Sequence, residues 1–137
     1  MLNSLLKPSV FVLYSLFFVR LREVFVFKSI IILIHKEVSK MSVCVLVEGT
    51  LKDEFKDVFP VVCGKGFKVT RTVDGCQNIN LVINSKNPNN FVFTEVWDSK
   101  EHYDKYFAFR LADGTITAIQ NMCSDGPEIR IFEITQA

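Results

Sequence analysis

The stretch from Phe91 to Arg110, FVFTEVWDSKEHYDKYFAFR, constrains this chain most, because it joins an alternating strand to a capped helix with the only tryptophan at the join. Phe91, Phe93, Glu95 and Trp97 fall on one side of a strand, and Val92, Thr94 and Val96 on the other. Asp98 is placed to cap the helix that follows, with Glu101 three residues on completing a capping box. The helix carries Tyr103, Tyr106 and Phe107 at helical spacing, and Arg110 falls on the same stripe. Two phenols and a guanidinium make a poor plain core. They suit a pocket for a flat ligand with polar edges.

A chain of 137 residues is long enough for one domain with a real core and short for two. Its net charge of +1 hides an asymmetry. Residues 1–40 carry six Lys/Arg against two Glu, a net +4, and residues 41–137 carry ten Lys/Arg against thirteen Asp/Glu, a net −3. An acidic domain without a basic cluster is a poor partner for nucleic acid, where affinity rests on phosphate neutralisation. Cys44, Cys63, Cys76 and Cys123 show neither zinc nor redox spacing, so reduced, mostly buried thiols in a cytoplasmic protein are expected. His35 and His102 are the only imidazoles, and no metal site is expected.

Residues 1–40 read differently from the rest. Val10–Val19 and Val24–Ile34 are strongly apolar, but Arg20, Arg22, Glu23 and Lys28 break them below the length of a spanning helix. No small-x-small cleavage site follows the first run, so a signal peptide fits weakly. Three readings stand: upstream sequence with Met41 as the true start, a membrane or targeting segment, or an integral part of the fold. The first is preferred, which makes 1–40 an extension outside a domain at 41–137. Membrane association then depends on 1–40 being a genuine anchor.

From Met41 the pattern is regular. Ser42–Gly49 reads as a strand, and Lys52–Val62 as a helix with Phe55, Val58, Phe59 and Val62 on one face, bent or ended by Pro60. Gly64–Val73 fits either a strand or a helix. Cys76–Ser85 alternates through Ile79, Leu81 and Ile83, and Lys86–Asn90 reads as the loop of a hairpin onto Phe91–Trp97. Helices are expected over Ser99–Arg110 and Asp113–Met122, then a turn at Asp125–Gly126–Pro127 and a strand over Glu128–Thr135. The order βαββαβ is that of a ferredoxin-like α+β fold, an antiparallel sheet with helices on one face. Val43, Val45 and Val47 alternate with Cys44, Leu46 and Glu48, so neither face of the first strand is purely polar. A second copy of the sheet would cover the outer face, and a homodimer is expected.

The strand VCVLVEG, the turn Asp74–Gly75–Cys76, the segment FVFTEVWDSKEHYDKYFAFR and the run Gly126–Pro127–Glu128–Ile129–Arg130 occur in this order between Val43 and Glu133. Together they resemble the antibiotic biosynthesis monooxygenase (ABM) domains, dimeric α+β barrels that include quinol monooxygenases. The resemblance covers about 90 residues and none before Met41. It implies a helix over Gly64–Val73. It also implies a monooxygenase without cofactor, in which a small aromatic or quinol substrate supplies its own electrons to O2. Some haem-degrading relatives use an Asn on the first strand and a His on the second helix. Here those places offer Glu48–Gly49 and Phe109–Arg110, a departure that counts against haem chemistry.

The resemblance gives the candidate residues roles. Trp97 walls the pocket and offers its indole N–H to a developing anion, or is a large core residue at a strand end. Arg110 stabilises a phenolate or superoxide-like charge, or pairs with Asp113 or Glu95 at the helix end. Tyr106 and Tyr103 orient the substrate or relay a proton, or are structural aromatics. His102 suits base chemistry near neutral pH, or is a surface residue of a helix's first turn. Glu95 is a base or the partner of Arg110, since an inward carboxylate needs one. Phe93, Phe107 and, more weakly, Glu48 complete the substrate contacts. The competing class is a non-catalytic dimeric module of the same fold, small-molecule-binding or stress-associated.

Overall fold

The computed structural model describes Arg20, residues 22–34, Lys36 and residues 41–136. The chain divides into two compact units, Met1–Val38 and Ser39–Ala137. In the first, residues 22–34 are helical, with Phe25, Phe27, Ile32 and Leu33 among their exposed side chains. No described helix is long and apolar enough to cross a membrane. The apolar run Val10–Val19 lies outside the described residues.

The second unit runs β1 (Val43–Leu51), a 3-10 turn (Asp53–Phe55), α1 (Phe59–Thr70), β2 (Cys76–Asn84), β3 (Asn87–Trp97), α2 (Lys100–Ala112), α3 (Thr115–Met122) and β4 (Cys123–Glu133). The strands form one sheet in the order β2-β3-β1-β4, each neighbouring pair antiparallel, which is the expected ferredoxin-like α+β arrangement. Alternation sends Val43, Val45 and Val47 of β1 and Phe91, Phe93, Glu95 and Trp97 of β3 to the helical side, where all are buried. Phe59, Cys63 and Phe67 of α1 meet them at four-residue spacing. The Phe59 ring lies 4.6 Å from Phe91 and 5.9 Å from Phe93. Each such buried aromatic stabilises the fold by roughly 1.5–3 kcal/mol.

Several boundaries differ from the expectation, each for a local reason. Pro60 opens α1 instead of ending a helix, because its missing N–H costs nothing in a first turn. The expected Lys52–Val62 helix is therefore a 3-10 turn followed by the start of α1, which continues through Gly64 to Thr70. Val58 and Val62 of the expected buried face are exposed. The cap of α2 is Ser99, not Asp98; its hydroxyl accepts the His102 N–H at 3.3 Å. Asp98 is still tied to the preceding turn, its N–H bonded to the Gly75 carbonyl at 2.8 Å and its carboxylate to Gln77 at 2.6 Å. Glu101 pairs with Lys105 instead of reaching back. That turn requires glycine: Gly75 has φ 81°, and a Cβ there would lie 2.3 Å from the His102 ring.

The β2–β3 hairpin is tighter than a five-residue loop. Only Ser85 and Lys86 make the turn, and Asn87–Asn90 extend β3. Asp113 belongs to the connection before α3, which starts at Thr115 behind Gly114 at φ 82°. Asp125–Gly126–Pro127 is not a separate turn; β4 runs through it with register shifts against β1 at Glu48–Leu51. On the outer face of the sheet, Leu46, Val92 and Val96 are half-buried and Val82 and Phe132 are exposed.

Candidate functional site

A cavity of about 390 Å³ is walled by the inner face of the sheet and by all three helices. Most of its lining is apolar, with Val47, Phe67, Ile79, Phe93, Phe107 and Ile119 among it. Its polar lining residues include Glu95, Thr70, Tyr103, Tyr106 and Arg110. Strand alternation brings Phe93 and Glu95 inward, and the stripe on α2 brings Tyr103, Tyr106, Phe107 and Arg110 to meet them.

Glu95 sits on a central strand, paired laterally with Val45 and Ile79, and is 3% exposed. Its Oε2 accepts the indole N–H of Trp97 at 2.8 Å. Burial pushes this carboxyl up to about 7, against the opposing pull of the Trp97 hydrogen bond. Among the described residues, neither Glu95 Oε1 nor the Tyr103 hydroxyl makes a hydrogen bond, and no side-chain polar atom is both shut away and unpartnered. Both atoms therefore open onto the cavity. Burial, with Glu95 adding to it, holds the Tyr103 phenol above its ordinary value, so it stays a neutral donor.

Tyr106 and Arg110 are committed to each other. The Tyr106 hydroxyl lies 2.8 Å from Thr70 Oγ1 and accepts from Arg110 Nε at 3.3 Å. Arg110 Nη1 donates to Asp113 at 3.1 Å, and Nη2 donates to the Gly66 carbonyl and to Thr70 Oγ1, both at 3.2 Å. Every guanidinium nitrogen is thus engaged within the protein, in a clasp between α1 and α2. The partner of Arg110 is Asp113; that of Glu95 is Trp97. Burial also holds the Tyr106 phenol above its usual range, although its bonds to Thr70 and Arg110 pull the other way.

Three candidates stand elsewhere. Trp97 is fully buried, does not line the cavity, and packs under Tyr106 and Tyr103 with ring centres at 4.8 and 6.0 Å. Its N–H is taken by Glu95, so it has none to offer a ligand. His102 is outside the cavity lining, with Nδ1 2.8 Å from Ser99 Oγ and Nε2 3.6 Å from Asp74. Its ring covers the Gly75 turn. Glu48 is on the outer face of the sheet, paired with Arg130 at 2.6 Å.

The cavity also uses residues that the sequence did not single out. Thr70 is 1% exposed and holds the Tyr106 hydroxyl; its signal was the stripe Phe59, Cys63, Phe67, Thr70. Ile116, Ile119 and Met122 of α3 form one wall, and their three-residue spacing was the sign of it. Cys63 faces the cavity, but burial pushes its thiol up to about 12, so it acts as apolar wall. All four cysteines are free thiols. Among the described residues, no three His, Cys, Asp or Glu gather where a metal ion would bind.

Residues 42–109 match the family model of the antibiotic biosynthesis monooxygenases. No curated protein matches by sequence. Among solved structures, a conserved protein from Methanosarcina mazei Go1 superposes with a TM-score of 0.64 at 17% identity, over 73% of this chain and 99% of its own. A putative antibiotic biosynthesis monooxygenase from Deinococcus radiodurans gives 0.61 at 20% identity, over 69% and 94%. SnoaB, a cofactor-independent oxygenase from Streptomyces nogalater, gives 0.61 at 17% identity, over 70% and 95%. At these identities the structures share the fold.

Proposed function

We propose, from the antibiotic biosynthesis monooxygenase domain that residues 42–109 form, that this protein is a monooxygenase. It oxidises a small aromatic or quinol with O2 and needs no cofactor. The observation that carries this reading is Glu95: a buried carboxyl, fixed at one oxygen, open to an apolar cavity at the other, with its proton affinity raised to about 7. A base so tuned takes a phenolic proton near neutral pH.

The steps balance without a further redox partner. Glu95 removes a substrate proton, and Tyr103 donates a hydrogen bond to the substrate oxygen. The electron-rich ring then reduces O2 and a carbon–oxygen bond forms; the ring C–H at that carbon and the O–O bond break, and the two hydrogens that the substrate loses, one of them by way of Glu95, end in the water. One oxygen atom stays on the substrate and the other leaves as water, with all four electrons coming from the substrate. Phe93, Phe107 and Ile119 hold the ring and exclude water, which strengthens each polar contact. Tyr106, pinned by Thr70 and Arg110, shapes the polar end.

Oxygen consumption by the full chain against hydroquinones and naphthols, with an autoxidation control, tests the reading. Uptake above autoxidation, rising with pH through about 7, is expected. The complete engagement of Arg110 favours the second reading, a binding module without turnover. That reading gains if the same compounds bind and no oxygen is consumed.

The outer face of the sheet supports a homodimer, since Val82 and Phe132 are 45% and 48% exposed beside Leu46, Val92 and Val96. Light scattering of the wild type is expected to give a dimer, and Phe132→Asp a monomer. A monomeric wild type at micromolar concentration removes the proposal.

A further inference from the structure

We propose that Trp97 is a positioning residue that acts on the reaction only through Glu95, holding one carboxyl oxygen so that the other faces the cavity. This rests on the reading of Glu95 as the base. The two side chains share one face of β3, two residues apart, and both are buried, Trp97 completely. The indole N–H lies 2.8 Å from Glu95 Oε2 and has no other partner among the described residues. Trp97 is absent from the cavity wall, and Tyr103 and Tyr106 lie over its ring. It therefore cannot touch a molecule bound in the cavity.

A single donor on one oxygen does two things. It stops the carboxyl from turning about its last bond, which fixes the direction in which Oε1 accepts a proton. It also favours the ionised form, opposing the burial that disfavours it. Without the donor, burial acts alone and the carboxyl holds its proton to higher pH. The neighbouring titratable groups do not replace it. Tyr103 and Tyr106 of α2 are held neutral, Cys63 of α1 and Cys76 of β2 are thiols raised by burial, and Arg110 of α2 is engaged elsewhere.

The chain has one tryptophan, so it can be replaced throughout by benzothienylalanine, which keeps the bicyclic shape and has sulfur in place of N–H. Trp97→Phe is the genetic counterpart. The readout is the titration midpoint of the Glu95 carboxyl carbon by NMR, measured beside the pH profile of oxygen uptake. Loss of one hydrogen bond to a charged group is expected to raise the midpoint by about 1–2 pH units. The pH profile moves by the same amount in the same direction. A wild-type midpoint near 7 that the analogue leaves in place overturns the positioning role and leaves the base reading standing. An ordinary wild-type midpoint that the analogue raises supports the contact and sinks Glu95 as the base. A shift in the midpoint with an unmoved pH profile overturns the claim that Trp97 acts on the reaction through Glu95.

Discussion

Glu95→Gln is expected to lower turnover by about 10²–10⁴-fold, the range for removing a positioned base, while stabilising the protein relative to wild type above pH 7. The two effects share a cause. Glutamine keeps an oxygen for the Trp97 N–H and keeps the shape, but it neither takes a proton nor becomes charged. In the wild type the folded state raises the carboxyl from an ordinary value near 4.5 to about 7. A group whose proton affinity is higher in the folded state stabilises it fully below the ordinary value. That contribution fades as pH rises through about 7. The wild type thus gives up on the order of 3 kcal/mol between pH 4.5 and 8 at this one side chain, and the variant does not. Urea denaturation of both proteins at pH 5 and pH 8 measures it. A stability difference between them that is flat with pH would remove the raised affinity. Unchanged turnover would remove Glu95 as the base.

Arg110→Ala is expected to destabilise the fold by about 2–4 kcal/mol, more than a surface charge would. The residue is 8% exposed, and its side chain ties Gly66 and Thr70 of α1 to Tyr106 and Asp113. Its removal leaves the Gly66 carbonyl without that donor and unpins the Tyr106 hydroxyl. Asp113 loses less, because it is partly open to water and still accepts the Thr115 N–H at 2.9 Å. Arg110→Lys recovers only part, since one ammonium cannot reach four acceptors in a planar fork. Thermal melts of the three proteins rank them. An Arg110→Ala protein as stable as wild type would free the guanidinium for a direct role on the substrate.

The periodic features of the sequence carried the fold and the set of side chains that face the cavity. Alternation along Phe91–Trp97 and the stripe Tyr103, Tyr106, Phe107, Arg110 hold six of the residues that line the cavity, because both patterns depend only on local geometry. Partners were harder to read. Glu95 had Arg110 as its natural counter-charge on paper, yet Trp97 lies two residues away on the same strand face and reaches it first. Arg110 stands in the last turn of α2 and meets Asp113 three residues on. Boundaries failed where one residue admits two uses. Pro60 ends a helix or opens one, and which it does depends on what Phe59 packs against. Gly126 and Pro127 read as a turn in isolation, but pairing with β1 keeps them in a strand. Thr70 gave no polar signal until α2 was set beside α1.

The wall that α3 gives the cavity lies beyond residue 109, outside the stretch that identifies the domain. Ile116, Ile119 and Met122 press on whatever occupies the cavity, while none of the helix's own residues is buried. One wall of the cavity is therefore written in a different part of the chain from the stretch that the family model matches. Two proteins alike from residue 42 to 109 can present cavities of different shape, by changing three side chains on a helix that Lys52 holds by its end, through the Asn121 and Met122 carbonyls.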